Sequence, residues 1–188
     1  MLRKSLNSVS QNEDLGQLVK ELKKGSAEAF HIIYNKYQNR IYRFCLKMLG
    51  DSNLAKDAFQ ETFIRLHEKK HTFRGENFTS WLFTISRHTC LNHLRSKKEY
   101  EEYNEVYHTD TKTKSEDVLL KEILEKSINT LPISLREAFI LREYEQCTYN
   151  EISEILDIEL SLAKIRVHRA RVLLRKLLKP IVKEINES

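Results

Sequence analysis

Glycine and proline are scarce. The chain has 4 and 2 of them among 188 residues, about 3% together against roughly 12% in an average chain. Folds rich in sheet or loop place these residues at their turns, so sandwiches, barrels and βαβ enzymes are excluded. No run resembles a glycine-rich nucleotide loop. Cysteine is also sparse: Cys45, Cys90 and Cys147 are odd in number and far apart, which disfavours a disulfide framework. Long apolar runs are missing. Residues 1–20 hold none, so no secretory leader is expected. No stretch approaches the roughly 18 apolar residues of a membrane span, so the expectation is a cytoplasmic chain without membrane insertion.

Catalytic signatures are missing too. There is no HExxH, no paired-Asp motif and no matched Ser, His and Asp spacing. An enzyme, a cofactor and a small-molecule substrate are therefore not expected. His88, Cys90 and His93 lie close together, but no fourth ligand stands at a readable spacing. On a helix, positions 88 and 90 point about 200° apart, so no metal is expected.

What is present is charge and helical periodicity. Charged residues are 31%, hydrophobic residues 40% and the net charge is +5, a mild bias toward an anionic partner such as nucleic acid or anionic lipid. A short helix fits 14–24, ended by Lys23, Lys24 and Gly25. Over 27–49, Phe30, Ile33, Tyr34, Tyr37, Ile41, Phe44, Cys45 and Met48 form one helical stripe. Gly50 ends it and Asp51-Ser52 can cap the next helix, 53–69, which carries Ala55, Ala58, Phe59, Thr62, Phe63 and Leu66. After a break at 70–77, a helix over about 78–96 has the stripe Phe78, Trp81, Leu82, Ile85 and Thr89. These helices can close a small bundle over 14–97. The pattern then dissolves into a polar stretch read as a flexible linker, 98–115.

A second helical unit covers 116–180. Helix 116–129 places Leu119, Leu120, Ile123, Leu124 and Ile128 on one side. Ser134 to Glu137 has the form of a capping box, which would start a helix at 135, and Thr148 to Glu151 is a second one. A short helix with Ile152, Ile155 and Leu156 inward leads through Asp157-Ile158-Glu159 to a long helix, 160–178, with Pro180 near its end. The fold class is all-α, two small helical domains joined by a flexible linker.

Short helix, three-residue turn and longer helix is a helix-turn-helix arrangement, whose second helix faces the major groove of DNA. In the last helix Ala163, Val167, Ala170, Leu174 and Leu177 form the inward stripe. The other faces carry Lys164, Arg166, His168, Arg169, Arg171, Arg175, Lys176 and Lys179. No acid occurs between 160 and 179, and the seven Lys and Arg there exceed the net charge of the whole chain. A solvated helix face ordinarily mixes signs. Guanidinium groups suit guanine edges and phosphates.

The first domain holds a second candidate. Lys69, Lys70, His71, Phe73, Arg74, Phe78, Trp81, Arg87, Arg95, Lys97 and Lys98 mix cations with rings, the combination that holds single-stranded DNA. Phe78 and Trp81 read as core, and Phe73, off the stripe in the loop, as exposed. Asp57, Gln60 and Glu61 share one helix face at i, i+3 and i+4 and read as a partner-binding patch.

These pieces together resemble the sigma-70 family of bacterial RNA polymerase sigma factors, in its extracytoplasmic-function (ECF) group. The resemblance rests on Gly25-Ser26-Ala27-Glu28-Ala29-Phe30, on residues 55–63 (AKDAFQETF), on 78–85 (FTSWLFTI), on Leu131-Pro132, on Thr148-Tyr149-Asn150-Glu151-Ile152 and on residues 166–171 (RVHRAR). It implies a region-2 bundle that binds core RNA polymerase through Asp57, Gln60, Glu61 and Phe63. The same bundle would bind the −10 element of promoter DNA through Phe73, Arg74, Asn77, Arg87, Asn92, Arg95 and Lys97. It implies a region-4 domain that reads the −35 element through Leu162, Lys164, Ile165, Arg166, His168, Arg169 and Arg171. The linker acids Glu99, Glu101, Glu102 and Glu105 would lie near polymerase, and an anti-sigma factor is an implied partner. The chain departs from the family at Leu162 and Ile165, where a small hydroxyl residue is common, and at Glu159, where a cap such as Ser is preferred. Leu162 and Ile165 either touch thymine methyls or pack on the preceding helix. The competing reading is a stand-alone helix-turn-helix transcriptional regulator.

Overall fold

Local capping chemistry sets the order of helices in the computed structural model, which describes residues 15–75, 77–103 and 116–187. Among these residues every regular element is helical. Helix α1 (15–23) turns at Gly25, which takes φ 91°. Ser26 opens α2 (Ala27–Leu49), its hydroxyl accepting from the Ala29 amide. Gly50 ends α2 in the left-handed region, φ 67°, and its amide donates to Leu46 O. Asp51 accepts from the amides of Asn53 and Leu54 and opens α3 (Ser52–Lys69). A single 3₁₀ turn, Lys70–Thr72, leads to α4 (Phe78–Tyr103).

The apolar stripes then meet. Ile33, Tyr37, Ile41, Phe44, Cys45 and Met48 of α2 are buried together with Ala55, Ala58, Phe63 and Leu66 of α3 and with Phe78, Leu82, Phe83 and Cys90 of α4. Phe44 and Phe83 meet edge to face, 5.4 Å between centroids. Helix α4 is buried on more than its expected stripe because Phe83 and Ser86 also turn onto α2, where they meet Phe44 and Cys45. It also runs on to Tyr103, past the expected end near 96. The part of the linker at 104–115 lies outside the described residues, as do residues 1–12, read as a frayed terminus.

The second domain comprises α5 (Glu116–Asn129), α6 (Ile133–Glu143), α7 (Tyr149–Leu156) and α8 (Leu160–Glu187). The expected capping box at Ser134 does not form. Helix α6 begins at Ile133 behind Pro132, whose carbonyl accepts from the amides of Leu135 and Arg136. Proline is well placed there because it has no amide to leave unpaired. Glu137 is thereby freed from capping and is drawn inward by arginines. The second capping box forms as expected: Thr148 Oγ1 accepts from the Glu151 amide and the Glu151 carboxylate accepts from the Thr148 amide. Asp157 takes φ 53° and turns the chain into α8.

Three further expectations change. Leu177 and Leu120 are exposed rather than inward, at 39% and 41%. Leu177 lies past Leu174, the last buried residue of the α8 stripe, where α8 outruns the small domain. Helix α8 also continues beyond Pro180. Arg136 ties the domains at their helix ends. It donates to Met48 O at the end of α2 and to Asn129 O and Leu131 O after α5. A cation is favourable at both termini, where carbonyls lack helical partners.

Two consequences are measurable. Gly50→Ala places a side chain in left-handed backbone and against Asn129. It should cost about 1–2 kcal/mol or more, read as a melting temperature lowered by several degrees, and an unchanged melt would contradict this packing. All three cysteines are free and buried, and burial pushes the Cys147 thiol up to about 12. The folded protein should therefore leave a disulfide reagent unreacted near about pH 8, with all three thiols appearing only on unfolding.

Candidate nucleic-acid interface

The inward stripe of α8 fixes which residues face out. Ala163, Val167, Ala170 and Leu174 are buried against α6 and α7. Lys164, His168 and Arg169 consequently stand in solvent. Leu162 and Ile165 are 37% and 44% exposed, so they add apolar groups to the same outward face. Glu159 is exposed just before α8, and its carbonyl accepts from the Ala163 amide. Two arginines of the set are paired with acids of α6. Arg171 donates to Glu143 Oε1 (2.8 Å from Nε). Arg166 is half-buried, its Nη1 3.4 Å from Glu137 Oε1.

In the first domain the loop before α4 differs from expectation. Phe73 is buried, not exposed. Its ring lies 5.5 Å from Phe78 and 5.3 Å from Trp81. The Lys23 ammonium donates to the Phe73 carbonyl (2.5 Å) and stands over its ring. A lone aromatic in a polar loop has this alternative to solvent whenever a neighbouring helix offers rings and a cation. Phe78 is core as expected, and Trp81 is half-buried against it. Asn77 caps α4, its Oδ1 accepting from the Ser80 amide at 3.0 Å. Phe73, Arg74, Asn77, Ser80 and Trp81 line a groove of about 630 Å³, and Glu154 of the second domain closes one side of it. Ser80 Oγ is buried without a hydrogen-bond partner among the described residues. Arg74, Asn92 and Arg95 are exposed and Lys97 is half-buried. Arg87 is different: its Nε lies 2.7 Å from Glu137 Oε2.

The patch on α3 is only partly free. Asp57 and Gln60 are exposed. Glu61 accepts from Arg65 (2.8 Å) and pairs with His93 (2.9 Å). Burial by itself would raise the Glu61 carboxyl, but the bonds from Arg65 and His93 outweigh it and hold it below the usual carboxylate range. Phe63 is buried yet borders an aromatic groove of about 530 Å³ with Phe30, Tyr34, Phe59, Ile64 and His67. Sequence reasoning missed this groove. Its signal is Ile64, 58% exposed, an isoleucine off the α3 stripe and flanked by rings from α2.

Sequence reasoning also missed the seam between the domains. Arg43 donates through Nε and Nη2 to Glu145 (2.7 and 3.1 Å). Arg40 donates to the same carboxylate (3.1 Å) and to the Glu145 carbonyl (3.0 Å), with its guanidinium over the Phe83 ring. Lys47 pairs with Glu125 (2.8 Å), and Asn77 Nδ2 lies 3.4 Å from Glu151 Oε1. The linker acids could not join this description: the side chains of Glu99, Glu101 and Glu102, and all of Glu105, lie outside the described residues.

Two family profiles match the chain. The family profile "Sigma-70 region 2" matches residues 33–100, and "Sigma-70, region 4" matches 121–174. The chain is 31% identical over 179 residues to the ECF RNA polymerase sigma factor SigW of Bacillus subtilis, covering 87% of this chain and 96% of that one. It is 29% identical over 184 residues to the RNA polymerase sigma-H factor of Pseudomonas aeruginosa, covering 89% and 95%. Among solved structures it is similar to the sigma factor RpoE from Bartonella quintana in complex with the anti-sigma factor NepR. That likeness has a TM-score of 0.70 and 25% identity over 81% of this chain and 98% of that one. CnrH in complex with the cytosolic domain of CnrY shares the fold, with TM-score 0.70 and 18% identity over 87% and 96%. A bundle matched by the region-2 profile, followed by a helix-turn-helix matched by the region-4 profile whose second helix holds no acid from 160 to 179, is thus accounted for by these matches, and the chain belongs to the ECF group of sigma-70 RNA polymerase sigma factors.

Proposed function

We propose that the chain directs initiation by two-point reading of promoter DNA while bound to core RNA polymerase. The bundle, 14–97, serves as the polymerase-binding and −10 unit. Residues 98–115 link it to the −35 unit, 116–180. The observation that carries this reading is the outward face of α8, which presents Lys164, His168 and Arg169 with no acid from 160 to 179. Phosphate neutralisation supplies affinity there, and base edges supply selection. Leu162 and Ile165 on the same face suit thymine methyls.

On the bundle, Asp57 and Gln60 with the adjoining aromatic groove form the polymerase-facing patch. Phe63 shapes that groove from beneath, and Glu61 holds α3 to α4 through His93. Arg74 and Asn77 border the groove that takes an unpaired base of the −10 element, with Trp81 as its wall. Asn92, Arg95 and Lys97 continue along α4 as phosphate contacts. Phe73 acts by supporting Trp81 and Phe78 rather than by stacking on DNA. Flipping a base costs a few kcal/mol, which stacking and phosphate contacts offset. Bond-making stays in polymerase, so the chain itself is not an enzyme. It works in the cytoplasm, and an anti-sigma factor controls it, as NepR binds the Bartonella RpoE.

Core polymerase supplied with this chain should initiate at discrete start sites on genomic template where core alone does not. Tight operator binding by the chain alone, with no promoter opening by the assembled enzyme, would replace this reading with a stand-alone regulator. Asp57→Ala combined with Gln60→Ala should weaken core binding by at least about 1 kcal/mol at an unchanged melting temperature, measured by fluorescence titration. Arg169→Ala should weaken −35-dependent initiation by about 1–3 kcal/mol if it makes a bidentate base contact. An unaltered promoter preference would remove Arg169 from the reading set.

A further inference from the structure

Carboxylates of the second domain lie against cations and an amide of the first domain. Glu145 is 3% exposed and is held by Arg40 and Arg43. Glu137 is 2% exposed and is held by Arg87 of the bundle and Arg166 of α8. Glu151 reaches Asn77, and Glu154 borders the groove beside Arg74 and Trp81. Arg87, Asn77 and Arg166 all belong to the DNA-contacting set that the family resemblance implies. A single carboxylate, Glu137, therefore engages one arginine from each half of that set.

Carboxylate and phosphate oxygens accept from a guanidinium with the same forked geometry. Arg40 and Arg43 stand one helical turn apart on α2, and their donors converge on Glu145 as they would on a phosphate. Neither belongs to the set read from the sequence.

We propose that the α6–α7 face is an internal mimic of the DNA backbone that holds the free chain closed, and that Arg40 and Arg43 are further phosphate-binding cations, released to promoter DNA when the domains part. The identity of the displaced ligand as DNA rests on the sigma-factor reading; the closure itself does not. The seam is suited to release. Buried ion pairs offset much of their attraction by desolvation, so exchanging a carboxylate for a phosphate costs little. Removing one carboxylate, in contrast, leaves the partly exposed Arg40 and Arg43 side by side without that counter-charge in the closed state alone. A chain whose competent open state is a minor fraction binds with its affinity reduced by that fraction.

The test uses the full chain. Glu145→Gln should increase the radius of gyration measured by X-ray scattering. It should also tighten binding of a fluorescein-labelled single-stranded oligonucleotide about tenfold, by anisotropy at fixed salt. Wild-type values for both in a folded variant would overturn the proposal. Should Glu145→Gln fail to fold by circular dichroism, a locked chain decides. Lys47→Cys with Glu125→Cys, joined by a short bis-maleimide, fixes α2 to α5 while the native thiols stay buried. The joined chain should lose transcription with core polymerase relative to the same variant left unjoined. Full activity of the joined chain would overturn the proposal. Absence of transcription from the wild-type chain would count against the sigma-factor reading instead, and the scattering and locking of the chain would still report on closure.

Discussion

Two buried carboxylates, Glu137 and Glu145, govern how the domains meet. An ionised carboxylate excluded from water must find cations or lose several kcal/mol of hydration without return. Helix α6 and the turn after it supply no such cation for Glu145; its guanidinium donors are Arg40 and Arg43 of α2. Glu137 is shared between Arg87 of α4 and Arg166 of α8. The bundle must therefore present α2 and α4 to the second domain in a fixed register, and the placement of α7 over the groove beside Trp81 follows. Arg136 adds a further constraint by closing the carbonyl ends of α2 and α5 with one side chain.

This constraint gives the interface its character. Inter-domain contacts within a chain commonly resemble transient protein–protein surfaces, and here the groups that cross include charge pairs, an amide–carboxylate contact and the Lys47 ammonium over the Tyr144 ring. The aromatic groove beside Asp57 and Gln60 and the outward face of α8 remain open in this arrangement. The face of the bundle at Asn77 and Arg87 is instead met by Glu151 and Glu137 of the second domain.

Much of the architecture was legible in the residues. The stripe from Phe30 to Met48, the cap at Asp51, the box at Thr148 and Glu151, and the buried sequence Ala163, Val167, Ala170, Leu174 are local patterns with local causes, and each is realised. The failures are equally specific. Ser134 and Glu137 satisfy the spacing of a capping box, but Glu137 has stronger partners on another domain. Phe73 sits among polar loop residues, but Lys23, Phe78 and Trp81 bury it. Leu177 continues the α8 period past the end of the domain it should pack against.

The division has a physical basis. Periodicity, capping and net charge act over a few residues along one chain segment, so the sequence by itself determined the helices, the helix-turn-helix, the cationic face of α8 and the family. Pairings such as Arg43 with Glu145 join residues 102 positions apart, and Arg87 with Glu137 join residues 50 apart. No periodic signal marks a charge as destined for burial, because the same arginine in solvent leaves the same letter in the sequence. Only the tertiary structure decided which cations stand free, which are occupied by the chain's own carboxylates, and how the second domain lies across the first.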